Sequence, residues 1–264
     1  LVTSRQRLAL REEWLYAVEG LAYGETVAGD QNPSEAAQLF IHSVQRAHRK
    51  FAPNPTDWAA LSDICRLVEG MPLALELAAA WVPNRNCADV ARALAEDMDV
   101  LTASWRNAPE RQRSIRATFE HSWALLLPAE RLLFARLTVF RGGFNGAAAA
   151  QVAGAEPAAL ARLAAKSLVR QVADCAGDGR CQLHELLRQF GAQKLAEFAG
   201  ETQVTAARHA DYYLAFLAAQ EPLLKGMGQE EALAAIDMDI ANVRQAWDWA
   251  VDGLIAGQTA VAAA

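Results

Sequence analysis

The sequence predicts a mainly α-helical protein that contains one small β-hairpin. Apolar residues recur at helical spacing in most segments between residues 34 and 252. Proline and glycine mark where these segments begin and end. Alternation typical of paired strands is clear at 168–173 and 180–183, with Gly177-Asp178-Gly179 as the turn between them.

Composition narrows the range of functions. The chain has 264 residues, of which 53% are hydrophobic, and a formal net charge of −6. The negative charge argues against a general nucleic-acid coat. No apolar run approaches the roughly 20 residues of a membrane span, and no signal peptide is recognisable. We therefore expect a cytoplasmic protein without a membrane partner, and the start at Leu1 favours a fragment of a longer one.

The four cysteines, at 65, 87, 175 and 181, lack Cys-x-x-Cys spacing. This favours buried or free thiols in a reducing compartment, although Cys175 and Cys181 flank the hairpin turn and could approach each other.

The first 30 residues are expected to contain strands. Residues 1–5 form a short apolar run that ends in Thr3-Ser4-Arg5, and residues 14–21 alternate like a second strand. Residues 22–33 then form a loop that contains glycine and aspartate.

Four helices are predicted between residues 31 and 104. The first begins near Ser34, the second has Thr56 as its cap, and the fourth covers about 87–97. Gly70 ends the second helix and Pro72 starts the third. Only Glu76 is charged between 73 and 81, so the third helix should be buried, and its first turn offers free N–H groups that suit a nucleotide. A plain helix–helix corner is the alternative.

Residues 105–200 show the order of a winged helix. After a polar linker at 99–113, helical patterns begin near Ser114, Pro128, 146 and Pro157, and the hairpin follows. A DNA-binding role is the alternative here. However, helix 157–166 offers only Arg162 and Lys166 to base edges. Residues 105–141 are locally basic, with seven arginines against three glutamates.

Two long amphipathic helices are predicted at 202–222 and 230–252. Helix pairs of this kind usually pack against further pairs, so residues 201–264 are expected to lead into an α-helical array of the tetratricopeptide type.

The segment from Ile64 to Ala79, Ile-Cys-Arg-Leu-Val-Glu-Gly-Met-Pro-Leu-Ala-Leu-Glu-Leu-Ala-Ala, resembles the Gly-x-Pro segment of signal-transducing STAND ATPases of the NB-ARC-like group. The resemblance also covers the start of the chain and residues 113–195. It implies four parts: a remnant of the NTPase core (1–30), a helical lid (31–104), a winged-helix domain (105–200) and helices leading into the array (201–264).

The same resemblance implies a nucleotide site for ADP or ATP, with Mg²⁺ in the intact protein. Its binding residues would be Arg5, Gly70, Pro72 and His184. Arg5 would sense the terminal phosphate, Pro72 would pack on adenine, and His184 would contact the β-phosphate. His184 stands in Leu183-His184-Glu185, where plant members have Met-His-Asp. ADP would hold lid and winged helix against the core, and exchange for ATP would release the winged helix for self-association or effector binding. A solvated arginine, and a histidine bonded within its own domain, are the alternatives.

The sequence contains no P-loop. That motif needs Gly-x-x-x-x-Gly-Lys followed by serine or threonine, and none of the four lysines follows a glycine. The chain as it stands is therefore not expected to be an enzyme, whereas the intact parent would be a slow ATPase switch whose Mg²⁺ ligands lie elsewhere. A stand-alone winged-helix DNA-binding regulator and a helical protein-interaction scaffold remain the competing hypotheses.

Overall fold

The computed structural model describes residues 13–14, 16, 18–24, 33–102, 114–172 and 179–262. This part of the chain is mainly α-helical, and its one sheet is a two-stranded antiparallel hairpin. The predicted fold class is therefore confirmed. The described helices and strands divide between two compact units, called unit A and unit B below.

Unit A holds the described residues from 13 to 126 together with His184–Phe190. Its helices are α1 (Glu35–Ala47), α2 (Pro55–Leu67), α3 (Pro72–Ala79), α4 (Cys87–Glu96) and α5 (Ile115–Ala124), with the first turns of α9 (Glu185–Ala196). A short 3-10 turn, Met98–Val100, follows α4.

Local sequence explains where the helices of unit A begin. Ser34 and Asn86 cap α1 and α4, because each side chain accepts a hydrogen bond from a backbone N–H in the first turn. Helix α2 begins at Pro55, where Asn54 and Asp57 form a reciprocal capping box. The predicted cap at Thr56 is therefore wrong, since Thr56 already lies inside the helix.

The core of unit A is formed by apolar helix faces. Helix α1 packs on α3, and α2 packs on α4. Helix α3 is buried along most of its length, as predicted. Phe190, in α9, contacts Phe119 and Trp123 of α5 with ring centroids 5.8 and 6.1 Å apart. These rings attach the first turns of α9 to the rest of unit A.

Unit B holds Leu127–Leu183 and the described residues from Gly191 onward. Its elements are α6 (Pro128–Leu137), α7 (Gly146–Ala148), α8 (Pro157–Ala165), β1 (Arg170–Val172), β2 (Arg180–Gln182), α10 (Glu201–Leu224) and α11 (Gln229–Ala262), with the later part of α9. Helix α7 continues as a π-helical turn, Ala149–Ala153. The predicted hairpin and the predicted pair of long helices, α10 and α11, are confirmed.

Phe144 pairs with strand β2 of the hairpin, and the glycine directly before it makes this close approach possible. Gln171 of β1 lies opposite Cys181 of β2, and Phe144 exchanges two backbone hydrogen bonds with Cys181, at 2.8 and 2.9 Å. Gly143, directly before Phe144, has φ +112°, and a Cβ there would lie 2.9 Å from Cys181 O. Only glycine suits both this conformation and this close approach.

A buried polar network joins β2 to α10 and α11. Arg180, which is 8% exposed, donates to Asp239 Oδ1 at 2.6 Å and to Gly143 O at 3.2 Å. Asn242 donates to the same Gly143 O at 2.9 Å. His209 Nε2 lies 3.2 Å from Asn242 Oδ1. Each of these buried polar side chains therefore has a partner, as stability requires.

His209 is kept uncharged by its surroundings. Burial lowers the pKa of His209 below its ordinary value of 6.5 and outweighs the hydrogen bond with Asn242 and the charge of Asp239, both of which raise it. At neutral pH the ring is therefore neutral, and its Nε2–H donates to Asn242.

The predicted strand at 14–21 is wrong for the residues described there. Residues 14, 16 and 18–21 form no strand, and Trp14 is 97% exposed. Leu21 N–H donates to Gly70 O at 2.9 Å, but a strand needs a continuing ladder rather than one bond. The predicted strand at 1–5 lies outside the described residues.

The four predicted domains stay predictions. Units A and B group residues by compactness, and His184–Phe190 belongs with the residues before 127.

Cys65, Cys87 and Cys181 are free, buried thiols. Cys175 lies outside the described residues.

Candidate functional site

The Gly-x-Pro corner between α2 and α3 contains two consecutive residues in the left-handed conformation. Glu69 has φ +46° and Gly70 has φ +65°. Gly70 N–H donates to Cys65 O at 3.1 Å, which closes the end of α2. Pro72 then takes the first position of α3, where its missing N–H removes no helical hydrogen bond. The predicted structural roles of Gly70 and Pro72 are confirmed.

A preceding segment lies directly on this corner. A Cβ on Gly70 would lie 2.0 Å from Leu21 O, and a Cβ on Gly20 would lie 2.3 Å from Glu69 O. Leu21 N–H donates to Gly70 O at 2.9 Å. Two backbones thus meet with no room for side chains, which explains both glycines.

His184 lies at the same corner. Its Nε2 is 3.1 Å from Val68 O, and its Nδ1 accepts a hydrogen bond from Leu186 N–H at 3.2 Å. Because Nδ1 accepts, the network assigns the neutral tautomer in which Nε2–H donates to Val68 O. The imidazole therefore caps α9, and both ring nitrogens bond to backbone groups of unit A.

The Glu69 carboxylate holds the next residue along the chain. Its Oε1 accepts a hydrogen bond from Glu185 N–H at 3.0 Å. Consecutive residues Val68 and Glu69 therefore hold consecutive residues His184 and Glu185. Glu69 is not among the predicted site residues, and its signal in the sequence is only a carboxylate directly before the glycine that ends a helix.

The structure brings three of the four predicted binding residues into unit A. Gly70 lies in the corner, the ring of His184 bonds to Val68 two residues before it, and Pro72 is exposed at the start of α3. Met71, the cap of α3, makes no side-chain hydrogen bond to the first turn. Arg5 lies outside the described residues. The expected contact of His184 with a phosphate stays a prediction, since the partners of its ring are Val68 and Leu186.

Helix α8, which would enter a DNA groove, directs its two cations to a buried carboxylate. Lys166 Nζ lies 2.5 Å from Glu130 Oε2, and Arg162 Nε lies 3.6 Å from Glu130 Oε1. Burial raises the pKa of Glu130, but hydrogen bonds from Lys166 and from Leu127 N–H outweigh it and leave the pKa below its ordinary value. Glu130 is therefore ionised at neutral pH and bonds directly to Lys166, whereas the side chain of Arg162 stays 56% exposed.

The locally basic stretch at 105–141 is also partly neutralised within the protein. Arg136 forms a bidentate pair with Glu201 at 2.8 and 2.9 Å, and Arg116 bonds to Asp99. The arginines at 106, 111 and 113 lie outside the described residues. The described arginines thus offer less charge to phosphates than their number suggests.

Among the described residues, no group of three or more His, Cys, Asp or Glu side chains could hold a metal ion. None of the described helices combines the length and apolarity that crossing a bilayer requires.

No family model matches the chain. It is 34% identical over 256 residues to the "Putative HTH-type transcriptional regulator Rv0890c" of Mycobacterium tuberculosis, and equally to the "Putative HTH-type transcriptional regulator Mb0914c" of Mycobacterium bovis. This alignment covers 94% of the chain and 28% of each relative. It is also 30% identical over 218 residues to the "Uncharacterized protein Rv0894" of Mycobacterium tuberculosis, which covers 79% of the chain and 52% of that protein.

The chain therefore spans between about a quarter and a half of the length of the curated relatives it matches.

Proposed function

We propose that this chain is a control segment of a bacterial transcriptional regulator, and that unit A works in it as a switch that responds to an adenine nucleotide. The regulatory role is supported by similarity to mycobacterial proteins named as HTH-type regulators, which extends over 94% of the chain. The switch is a finer proposal and rests on the geometry of unit A.

The observation that supports the switch is the double contact at the Gly-x-Pro corner. Val68 and Glu69 hold His184 and Glu185 through bonds of 3.1 and 3.0 Å across 116 residues of sequence. Local opening of this contact would break the two bonds and would also release Phe190 from Phe119 and Trp123. A ligand that binds one of the two states better would shift the balance between them.

In this proposal the nucleotide binds at the corner. Pro72 contacts the adenine ring, and Arg5 contacts the terminal phosphate of ATP. His184 contacts the β-phosphate when its Nε2–H exchanges Val68 O for a phosphate oxygen. The phosphate-binding loop and the Mg²⁺ ligands come from elsewhere in the intact protein, which hydrolyses ATP slowly. ADP favours the closed state, and exchange for ATP favours self-association or contact with effector proteins.

The test is nucleotide retention by the full-length natural protein that contains this chain. We expect His184→Ala to lower the amount of ADP that copurifies, measured by chromatography of the denatured supernatant. His42→Ala is the matched control, because His42 is an exposed histidine on α1 of the same unit. Unchanged retention in His184→Ala would contradict the phosphate role of His184, and absence of bound or exchangeable nucleotide in the wild type would contradict the switch.

DNA binding by the winged-helix segment is the second candidate, favoured by the names of the relatives. The pairing of Lys166 with Glu130 leaves only Arg162 exposed for base reading by α8. We therefore expect this chain to bind duplex DNA weakly, with little change of affinity between 50 and 200 mM salt. Fluorescence anisotropy with a labelled duplex measures this, and a steep salt dependence that Arg162→Ala weakens would assign the DNA contact to α8.

A further inference from the structure

We propose that Glu69 is the positioning residue of His184: its carboxylate fixes the start of α9 and thereby the orientation of the imidazole ring. The part of this proposal that concerns a nucleotide rests on the proposed function, whereas the positioning itself does not. Its carboxylate accepts a hydrogen bond from Glu185 N–H, so its effect on His184 passes through the backbone of Glu185.

The backbone of Glu69 is unusual for its residue type. Glu69 has φ +46°, a region in which a residue with a Cβ is disfavoured and glycine, asparagine or aspartate is more common. The neighbouring Gly70 has φ +65°, so the corner contains two consecutive left-handed residues. Surrounding contacts must stabilise such a conformation in a glutamate.

Two hydrogen bonds hold Glu69 in place: its backbone N–H donates to Arg66 O at 3.1 Å, and its Oε1 accepts from Glu185 N–H at 3.0 Å. The N–H groups of the first helical turn have no partner within their own helix. A carboxylate is favoured at this position, because the backbone dipoles leave partial positive charge at the start of a helix. Glu69 thus supplies to α9 an anchor from a distant part of the sequence.

His184 depends on that anchor through its place in the same turn. Its Nδ1 accepts from Leu186 N–H at 3.2 Å, and its backbone carbonyl accepts from Arg188 N–H at 2.9 Å. The ring keeps Nε2–H on Val68 O only while this turn stays formed against the corner. Removal of the Glu69 carboxylate should therefore loosen the turn and allow the imidazole to change tautomer.

The test compares four variants of this chain at pH 8, where an ordinary histidine is neutral. Glu69→Ala removes the acceptor, Glu69→Gln keeps a side-chain oxygen at the same reach, and Glu69→Gly removes the acceptor while relieving the left-handed strain. Glu96→Ala is the matched control, an exposed glutamate at the end of α4 in the same unit.

Two measurements read the position of His184. We expect hydrogen exchange at the Glu185 and Leu186 amides to become at least tenfold faster in Glu69→Ala and in Glu69→Gly. The ¹⁵N spectrum of the His184 ring should change from one tautomer to a mixture in the same two variants. Glu69→Gln should stay within about threefold of the wild-type exchange rate, because an amide oxygen also accepts a hydrogen bond.

Either of two outcomes would overturn the proposal. One is unchanged exchange and an unchanged ring spectrum in Glu69→Gly, a variant that removes the carboxylate without adding strain. The other is equal loosening in Glu69→Gln and Glu69→Ala. Both outcomes are independent of nucleotide, so failure of the wild-type protein to bind ADP would contradict the proposed function and leave the role of Glu69 to be decided by these spectra.

Discussion

His209 binds a proton less readily in the folded protein than in the unfolded chain. The residue is 1% exposed, and burial lowers its pKa below the ordinary value of 6.5, with Arg141 adding a smaller effect in the same direction. The unfolded chain therefore binds more protons than the native state just below pH 6.5. The stabilisation that this difference provides is complete above that pH and is lost as the pH falls.

We predict that the free energy of unfolding of the wild type decreases from pH 7.5 to pH 5.5. One proton can contribute a slope of at most about 1.4 kcal/mol per pH unit. His209→Gln, which keeps a polar group near Asn242, should be less stable at pH 7.5 but should lose less stability on acidification. Urea unfolding at several pH values measures both slopes.

The control for this prediction is His121→Gln, because His121 is exposed on α5. This variant should keep the wild-type pH dependence. Equal slopes in the wild type and His209→Gln would show that burial of His209 does not produce the acid sensitivity.

At the scale of elements, the corner between α2 and α3 has the strictest steric requirement in unit A. A Cβ on Gly70 would lie 2.0 Å from Leu21 O, in a backbone conformation of φ +65°. The clash is with backbone rather than with a movable side chain. The corner therefore tolerates no side chain unless the segment at 20–21 moves away.

We predict that Gly70→Ala destabilises the protein by about 2 kcal/mol or more. The left-handed conformation alone costs a residue with a Cβ about 1–2 kcal/mol, and displacement of Leu21 adds to this. Gly24→Ala is the control, because a Cβ on Gly24 would meet nothing within 4 Å. That change should alter stability by no more than about 0.5 kcal/mol. Urea unfolding followed by circular dichroism compares them, and equal effects would refute the steric account.

Most element boundaries could be predicted because their signals are local. Ser34, Gly70 and Pro72 act on the turn in which they occur, and the structure places helix ends at each. Residues 14–21 alternate like a strand, but alternation does not supply the neighbouring strand that pairing requires. The prediction there was wrong because strand formation depends on a neighbouring strand, which the pattern of one segment does not reveal.

Long-range polar contacts could not be predicted for a different reason. Asp239 and Asn242 interrupt the apolar stripe of α11, and their partners Arg180 and Gly143 lie 59 and 99 residues away. The position of His184 between the hairpin and the next helix was predicted, but its bond to Val68, 116 residues away, was not. The residue types were visible in the sequence, whereas their pairing depends on the fold.

At the scale of the whole molecule, the reactivity of three buried thiols can be used to follow the unfolding of each unit separately. Cys65 and Cys87 lie in unit A, and Cys181 lies in unit B. Burial raises the pKa of Cys65 and of Cys87 to about 12, with Asp57 adding to the effect at Cys87. Burial also raises the pKa of Cys181. Because the thiolate is the reactive form, all three should react slowly in the native protein.

We predict that Cys65 and Cys87 become reactive together as urea is raised, because they belong to one cooperative unit. Cys181 should become reactive when unit B opens, whether or not unit A opens at the same urea concentration. Pulsed iodoacetamide labelling at pH 8 with peptide mass spectrometry measures each site. Rapid labelling of Cys65 without urea, or different midpoints for Cys65 and Cys87, would contradict this assignment.

The interleaving of the two units has a consequence for biosynthesis. Unit A needs His184–Phe190, which follow a stretch belonging to unit B, and unit B in turn continues beyond Gly191. At about 5–20 residues per second, the ribosome takes roughly 3–13 s to proceed from residue 126 to residue 190. For that interval the nascent chain carries the helices of unit A without Phe190 to cover α5 or Glu185 to bond Glu69. Neither unit can be completed from one uninterrupted stretch of translation product.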